Sequence, residues 1–419
     1  MKNQGRIAII GFGVEGRALF FYLKRQGERD ITILDQNKKL ALPRGANAIT
    51  GPRYLRTLSD FDVIYRSPGT PYYLPHIQKV REKVSSSTNL FFTSAQGTII
   101  GVTGSAGKST TAALIYRILK AGGRQVFLGG NIGKNPLQFI ERLTPQSITV
   151  LELSSFQLQN LKKSPHIAVV LDVYEEHLDK HKSLKGYLDA KTNIGRFQKP
   201  GDAMIFSKDS PFSGRIAAAS RGKKFSFSLA DTHTSLYREE DTICDTDGKE
   251  TLPLGEIKLP GAHNIKNVMA AFLAARAAGA KPGIIRKAIK SFRGLPHRLE
   301  FVRKVGGITF YNDSGAVNIG AAIASMDAFA ESKVALVGGK NKNLPLMPLA
   351  ARLSHPDVRC AVLFGEIRQE LGAMLKKRGM KNFFVEKTME RAVRNAAGKA
   401  MAGDIVLLAP GTASFDAFK

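Results

Sequence analysis

Residues 98–112 read TIIGVTGSAGKSTTA. Ile99, Ile100 and Val102 predict a buried strand, and Leu114, Ile115, Ile118 and Leu119 predict one apolar face of a following helix. Between them stand Gly104, Ser105, Ala106, Gly107, Lys108, Ser109 and Thr110. A glycine-rich turn that opens a helix is a phosphate cradle. Backbone N–H groups at the helix start point at anionic oxygens, and glycine lets the backbone come close. Lys108 is expected to pair with the β- and γ-phosphates and Ser109 to sit on Mg2+. Val102 stands where the longer G-x-x-x-x-G-K-S form carries glycine, so the shorter G-x-x-G-K-S form remains. A bare strand–helix turn is the alternative; the lysine and two hydroxyls favour ATP.

Upstream, residues 6–10 (RIAII) predict a strand, followed by Gly11-Phe12-Gly13-Val14-Glu15-Gly16 and a helical pattern. A second strand over 31–34 ends on Asp35. This is the G-x-G-x-x-G fingerprint in its expected setting, with an acid about twenty residues on that can accept from a ribose or a base. The usual reading is a dinucleotide, the bland one a plain parallel sheet. The strand over 61–65 runs into Ser67-Pro68-Gly69, a loop at a carboxyl end, where open α/β sheets bind ligands. The polar residues 82–90 suggest a boundary.

The composition bounds the rest. The chain of 419 residues is long enough for two or three domains. It holds no apolar run of about eighteen residues that would span a bilayer. MKNQG leads straight into a strand, so no signal peptide is expected. Two cysteines suggest neither a disulfide framework nor zinc, and a soluble cytoplasmic protein is expected. A net charge of +27 would suit an anionic partner. The basic residues are spread along the chain and no nucleic-acid module is present, so no nucleic acid is expected.

Downstream of the phosphate loop each predicted strand runs into polar residues. Asn131 lies in GGNIG. Glu152, Ser154 and Gln157 lie in ELSSFQL, and a carboxylate just past a parallel strand is placed to reach Mg2+. His177 stands among acids, and Lys191 falls beside the apolar side of a helix, where a snorkelling lysine is the default. Residues 203–258 predict strands and loops. Asn264 and Asn267 precede an alanine-rich helix over 268–278, where caps are the first reading and a purine contact the second. In the last segment, strands end at Asn312-Asp313-Ser314, Gly338-Gly339-Lys340, Gly365-Glu366 and 409–414, with no second phosphate-loop lysine. The whole predicts an α/β chain of three domains: a Rossmann-like parallel sheet over 1–95, a P-loop ATPase-type α/β domain over 96–295, and a Rossmann-like α/β domain over 296–419.

The ordered set GFGVEGRA, SPGTP, GVTGSAGKSTT, GGNIG, ELSSFQL, EEHLDKH, YLDAKT, LPGAHNIKN, GLPHRLE, YNDS, LVGGKNK and APGTASFDAFK resembles the Mur ligases along the whole chain. ELSSFQL and ASFDAFK are most particular to members that add D-glutamate. A monomer is expected, and the resemblance implies Mg2+ and ATP as cofactors, joining D-glutamate to UDP-N-acetylmuramoyl-L-alanine through an acyl phosphate. It implies that Gly11, Gly13, Val14, Gly16, Asp35, Ser67, Pro68 and Gly69 hold the uridine diphosphate rather than NAD. Asn131, Ser154 and Gln157 would serve the sugar and its alanine carboxylate. Residues 104–110, Asn264, Asn267, Arg298 and Asp313 would hold ATP, with closure of the domains around it. Ser109, Glu152, His177 and Lys191, the last as a carbamate, would serve the metal, and Lys342 and Ser414 the amino acid. Catalysis would rest on Lys108, Glu152, His177 and Lys191. The chain departs from the family pattern at Gly315-Ala316-Val317, where Lys-Ala-Thr is usual, and at Ala106, Glu176 and Lys340. Two other readings stay open: a related ligase with a different acceptor, or a nucleotide-sugar-binding protein without turnover.

Overall fold

The computed structural model describes residues 5–246, 251–340 and 345–412. Lys342 and Ser414 lie outside the described residues. The chain divides into two compact units, Met1–Leu252 with Lys266–Ala288, and Pro253–Ile265 with Ile289–Lys419.

The first unit is built on two sheets. One is wholly parallel, in the order Asn47–Thr50, Ile31–Asp35, Ile7–Ile10, Val63–Arg66, Val84–Ser85. Its central strand is buried at every residue, as a strand covered on both faces must be. The loops after Ile7–Ile10 and Val63–Arg66 are neighbours at the carboxyl edge, which brings GFGVEG beside SPGT. The polar stretch at 82–90 closes the first sheet and opens a helix before the second sheet begins. Helix Ser87–Ser94 is capped by Ser86 and buries Ser87, Thr88 and Asn89. Those polar groups are satisfied across the fold: Ser87 donates to Glu15 and Asn89 to the Asn160 carbonyl, both at 2.7 Å.

The second sheet has nine strands. It is parallel from Leu236–Glu239 through Lys223–Ser228, Ala203–Ser207, Ile167–Val170, Thr98–Thr103, Ile148–Glu152 and Val126–Gly130. The strand read from TIIGVT lies inside it, third from the Val126–Gly130 edge. Its neighbours deliver Glu152 on one side and Asp172 on the other. Helix Pro211–Ala218 interrupts the region expected to be strands and loops.

The second unit holds a six-stranded sheet, Glu300–Val305, Ile308–Asn312, Ile405–Gly411, Lys333–Gly338, Val358–Phe364, Phe383–Val385. Only the first pair is antiparallel. The three sheets bear out the expected α/β class. Among the described residues no helix is long and apolar enough to cross a membrane.

Candidate active site

The phosphate loop leaves Thr98–Thr103 and enters helix Lys108–Ala121 through Gly107, which has a φ of 81°. A Cβ at Gly107 would lie 2.1 Å from the Asn267 side-chain oxygen, so glycine is needed for conformation and for space. Asn267 is buried and accepts from Thr111 at 3.3 Å. Helix Ala262–Ala277 starts before both asparagines, so Asn267 is no cap. Asn264 donates back to the Pro260 carbonyl at 2.8 Å. The adjacent Lys266 pairs with Asp172 at 2.5 Å and with Asp209 at 3.4 Å.

Lys108 donates to the carbonyls of Gly104 (3.0 Å) and Ser105 (2.8 Å). Ser109 donates to Glu152 Oε2 at 2.8 Å. Asn131 is exposed, and its backbone N–H donates to the Glu152 carbonyl at 3.1 Å. Lys191 comes in from helix Leu184–Arg196, 2 % exposed. Its Nζ donates to the Gly104 carbonyl at 2.9 Å and to Thr103 Oγ1 at 3.3 Å. Burial first, and then the charge of Lys108, push its amine well below the ordinary lysine value, against the pull of Glu176. A lowered pKa makes the uncharged, nucleophilic form of the amine easier to reach. It is not a snorkelling lysine, because its head group is buried.

Two side chains around this loop, Tyr187 and His181, were not legible as site residues. Tyr187 lies under Lys191, with the Nζ 4.9 Å from its ring centroid, and shares a 3.0 Å hydrogen bond with Ser105. Ser105 also donates to the Tyr174 carbonyl and accepts from its N–H. His177 has a φ of 56°, and its ring packs on Phe156, with centroids 5.2 Å apart. The other face of this aromatic group is His181, stacked on Phe156 and joined to Ser155 at 2.9 Å. His177 lies just before helix Leu178–His181, so no helical period displays the two histidines as a pair.

The glycine fingerprint separates into two kinds of position. A Cβ at Gly16 would lie 2.0 Å from the Gly11 carbonyl oxygen, and one at Gly11 would press on Ser67 at 3.0 Å. A Cβ at Gly13 or Gly69 would meet nothing within 4 Å, and Val14 is 79 % exposed. Packing therefore requires Gly11 and Gly16, while Gly13, Val14 and Gly69 border open space. Ser67 ties the two loops together by donating to the Gly11 carbonyl at 2.9 Å. Pro68 lies half-buried beside it. Asp35 accepts from the N–H groups of Phe12 (2.8 Å) and Asn37 (2.9 Å). Ser154 and Gln157 form a capping box, and Gln157 donates onward to Glu15 at 2.8 Å. Arg66, 2 % exposed, donates to the carbonyls of Thr70 (2.6 Å) and Phe156 (3.1 Å). Burial lowers its pKa to about 10, against the attraction of Tyr72 and Glu15. Glu15 and Arg66 thus link the first sheet to ELSSFQL.

In the second unit Asp313 is buried, accepting from Leu299 N–H at 3.2 Å and from Ser325. Burial raises its carboxyl pKa, while these bonds and Arg298 oppose the rise.

A hard cation suits oxygen donors, and Mg2+ is usually held by one or two carboxylates with phosphate oxygens and water. The Ser109–Glu152 pair fits that pattern. Among the described residues no cluster of three or more His, Cys, Asp and Glu side chains converges on one point, so the protein supplies part of such a shell.

Comparison with known proteins agrees with this geometry. The Mur ligase middle domain matches residues 102–275, and the Mur ligase glutamate ligase domain matches residues 297–412. A UDP-N-acetylmuramoylalanine--D-glutamate ligase of Symbiobacterium thermophilum is 37% identical, covering 100% of this chain and 96% of its own. One from Acetivibrio thermocellus is 35% identical, covering 100% and 94%. Among solved structures, the UDP-N-acetylmuramate-alanine ligase MurC of Thermotoga maritima matches with a TM-score of 0.62 at 16% identity, over 98% of this chain and 96% of that one. The MurF ligase of Thermotoga maritima in complex with ADP matches with 0.62 at 19%, over 97% and 91%. These two likenesses concern the fold. With full-length relatives above a third identical, the chain belongs to the Mur ligase family, on the branch of the UDP-N-acetylmuramoylalanine--D-glutamate ligases.

Proposed function

We propose that the chain is an ATP-dependent ligase that adds D-glutamate to UDP-N-acetylmuramoyl-L-alanine, a step in peptidoglycan precursor synthesis. The observation that carries the reading is the phosphate loop with Ser109 on Glu152 and the buried Lys191 on the Gly104 carbonyl. The alanine carboxylate attacks the γ-phosphorus, ADP leaves, and an acyl phosphate forms. The amine of D-glutamate then attacks the acyl carbon, phosphate leaves, and the amine proton passes to solvent or base. Such a path needs positioning and neutralisation of charge more than a protein nucleophile.

In this reading the loop amides of 104–110 and Lys108 hold the β- and γ-phosphates. Lys108 gives up the Gly104 and Ser105 carbonyls to do so. Ser109, Glu152 and His177 hold Mg2+, which when bound offsets phosphate charge. Lys191 Nζ attacks carbon dioxide, forming an N–C bond and losing a proton. The resulting carbamate turns a buried amine into an oxygen donor. Asn131 faces the alanine carboxylate. Gly11, Gly13, Val14, Gly16, Asp35 and the 67–69 loop hold the uridine diphosphate, with Ser154 and Gln157 near the sugar. Asn264 and Asn267 meet the adenine, and Arg298 and Asp313 complete the ATP contacts. Lys342 and Ser414 are assigned to the amino acid. Segments 1–95, 96–295 and 296–419 serve as the three working divisions. The protein acts as a cytoplasmic monomer, a setting in keeping with its two free cysteines.

The test is ATP-dependent phosphate release with UDP-N-acetylmuramoyl-L-alanine and D-glutamate, against L-glutamate, D-lysine and no amino acid. Release that requires D-glutamate is expected. Release with another acceptor would keep the mechanism and replace the substrate, the outcome that Gly315-Ala316-Val317 favours. No release with any acceptor would leave a binding protein.

A further inference from the structure

Arg298 sits in a loop bent where side chains resist bending. Its neighbours His297 and Leu299 hold φ values of 63° and 44°, a left-handed conformation that non-glycine residues adopt only under constraint. The strand end at 312–315 holds this bend. Gly315 N–H donates to the His297 carbonyl at 3.0 Å, and Leu299 N–H to Asp313 at 3.2 Å. Asn312 Nδ2 lies 3.0 Å from His297 Nδ1 and 3.3 Å from Glu300 Oε2, which also accepts from His297 N–H at 2.9 Å. The guanidinium is thereby laid across the turn, and Nη1 donates to the Gly315 carbonyl at 2.7 Å. The side chain stays exposed.

Gly315 is not among the glycines with positive φ, so its backbone conformation is open to any residue. Space is what it supplies. A Cβ there would stand 2.8 Å from Arg298 Cζ, 2.9 Å from Nε and 2.7 Å from the His297 carbonyl oxygen. We infer that Gly315 is a positioning residue: its bare Cα makes the slot in which the Arg298 guanidinium lies. The cation offered to a phosphate at this turn then comes from position 298, not from a side chain at 315. This rests on the reading of Arg298 as an ATP contact.

A double-mutant cycle tests it, using Arg298→Ala, Gly315→Ala and the pair in the full chain. ATP and UDP-sugar KM, kcat and melting temperature are measured for each. One lost charge-assisted hydrogen bond predicts a rise in ATP KM of about tenfold for each single variant, with the UDP-sugar KM unchanged. The pair should stay within about twofold of Arg298→Ala alone, since coupled residues do not add. An unchanged ATP KM in Arg298→Ala would remove the reading beneath the inference. A normal Gly315→Ala beside an impaired Arg298→Ala would overturn the inference itself. Losses that multiply in the pair, with equal drops in melting temperature in both backgrounds, would also overturn it. They would trace the effect to the His297 carbonyl.

Discussion

Lys191 is the residue on which the proposed chemistry rests. An amine that is 2 % exposed, against the phosphate loop and near a second lysine, gains little by staying protonated. Converted to a carbamate it would become an anion beside the phosphate loop. Lys191→Ala should therefore lower kcat by about a hundredfold or more, the usual scale for losing one preorganised electrostatic group. Acetate or a similar short carboxylate should restore part of the rate, while leaving UDP-sugar affinity as it was. A variant with wild-type kcat would dismiss the role. Gly107 makes a second, independent claim. With its φ of 81° and Asn267 at 2.1 Å from a would-be Cβ, Gly107→Ala should destabilise the protein by about 1–3 kcal/mol, read as a lower melting temperature. ADP should bind more weakly too; unchanged melting and unchanged ADP binding would show that the loop tolerates a side chain.

At the scale of elements, the feet of the strands in the second unit carry their own ionic lock. Lys333, fully buried, meets Asp357 at 2.6 Å, and Arg352 grips the same carboxylate while also reaching Asp327. Burial raises the Asp357 carboxyl. The hydrogen bonds from Arg352, Lys333 and His355 outweigh burial and hold it well below the ordinary carboxylate range. A depressed carboxylate stabilises the fold above its unfolded value near pH 4, and that stability is lost as pH falls toward the folded value. Stability should thus be flat through neutrality and decline below about pH 4. Asp357→Asn should cost about 3 kcal/mol at pH 7 by stranding a buried lysine and should flatten the acid limb. A calorimetric acid limb that is the same in both proteins would remove this account.

The same scale explains what the sequence could and could not reveal. The strand, turn and helix of 98–121 were legible because their signals are local: a run of apolar residues, two glycines, a helical period. Helix Ser87–Ser94 was not, since its polar residues read as a linker until Glu15 and Asn160 are seen to receive their hydrogen bonds. Glu15 itself gave no signal, because its partner Gln157 lies 142 residues away. Arg66 was hidden for a similar reason, as its carbonyl acceptors include Phe156, 90 residues away in helix Ser155–Leu158. The asparagines of 264–267 misled toward caps because a cap and a mid-helix asparagine near a helix start look alike in one dimension.

Over the whole molecule, 62 basic residues face 35 acidic ones, and the ion pairs on the surface leave most of that excess in solvent. Every proposed reactant is an anion: the nucleotide sugar, ATP and glutamate. A field of one sign attracts them all before contact, which speeds encounter without altering the chemical step. The attraction works over roughly a Debye length, about 8–10 Å near physiological salt and about 3 Å at 1 M. Raising potassium acetate from about 50 mM to about 500 mM should lower kcat/KM for the UDP-sugar roughly tenfold, with kcat almost constant. Retention on DNA should vanish over the same range if charge alone holds it. A kcat/KM that ignores salt would mean the charge serves something other than substrate capture. DNA retention that outlasts salt would name nucleic acid as that partner.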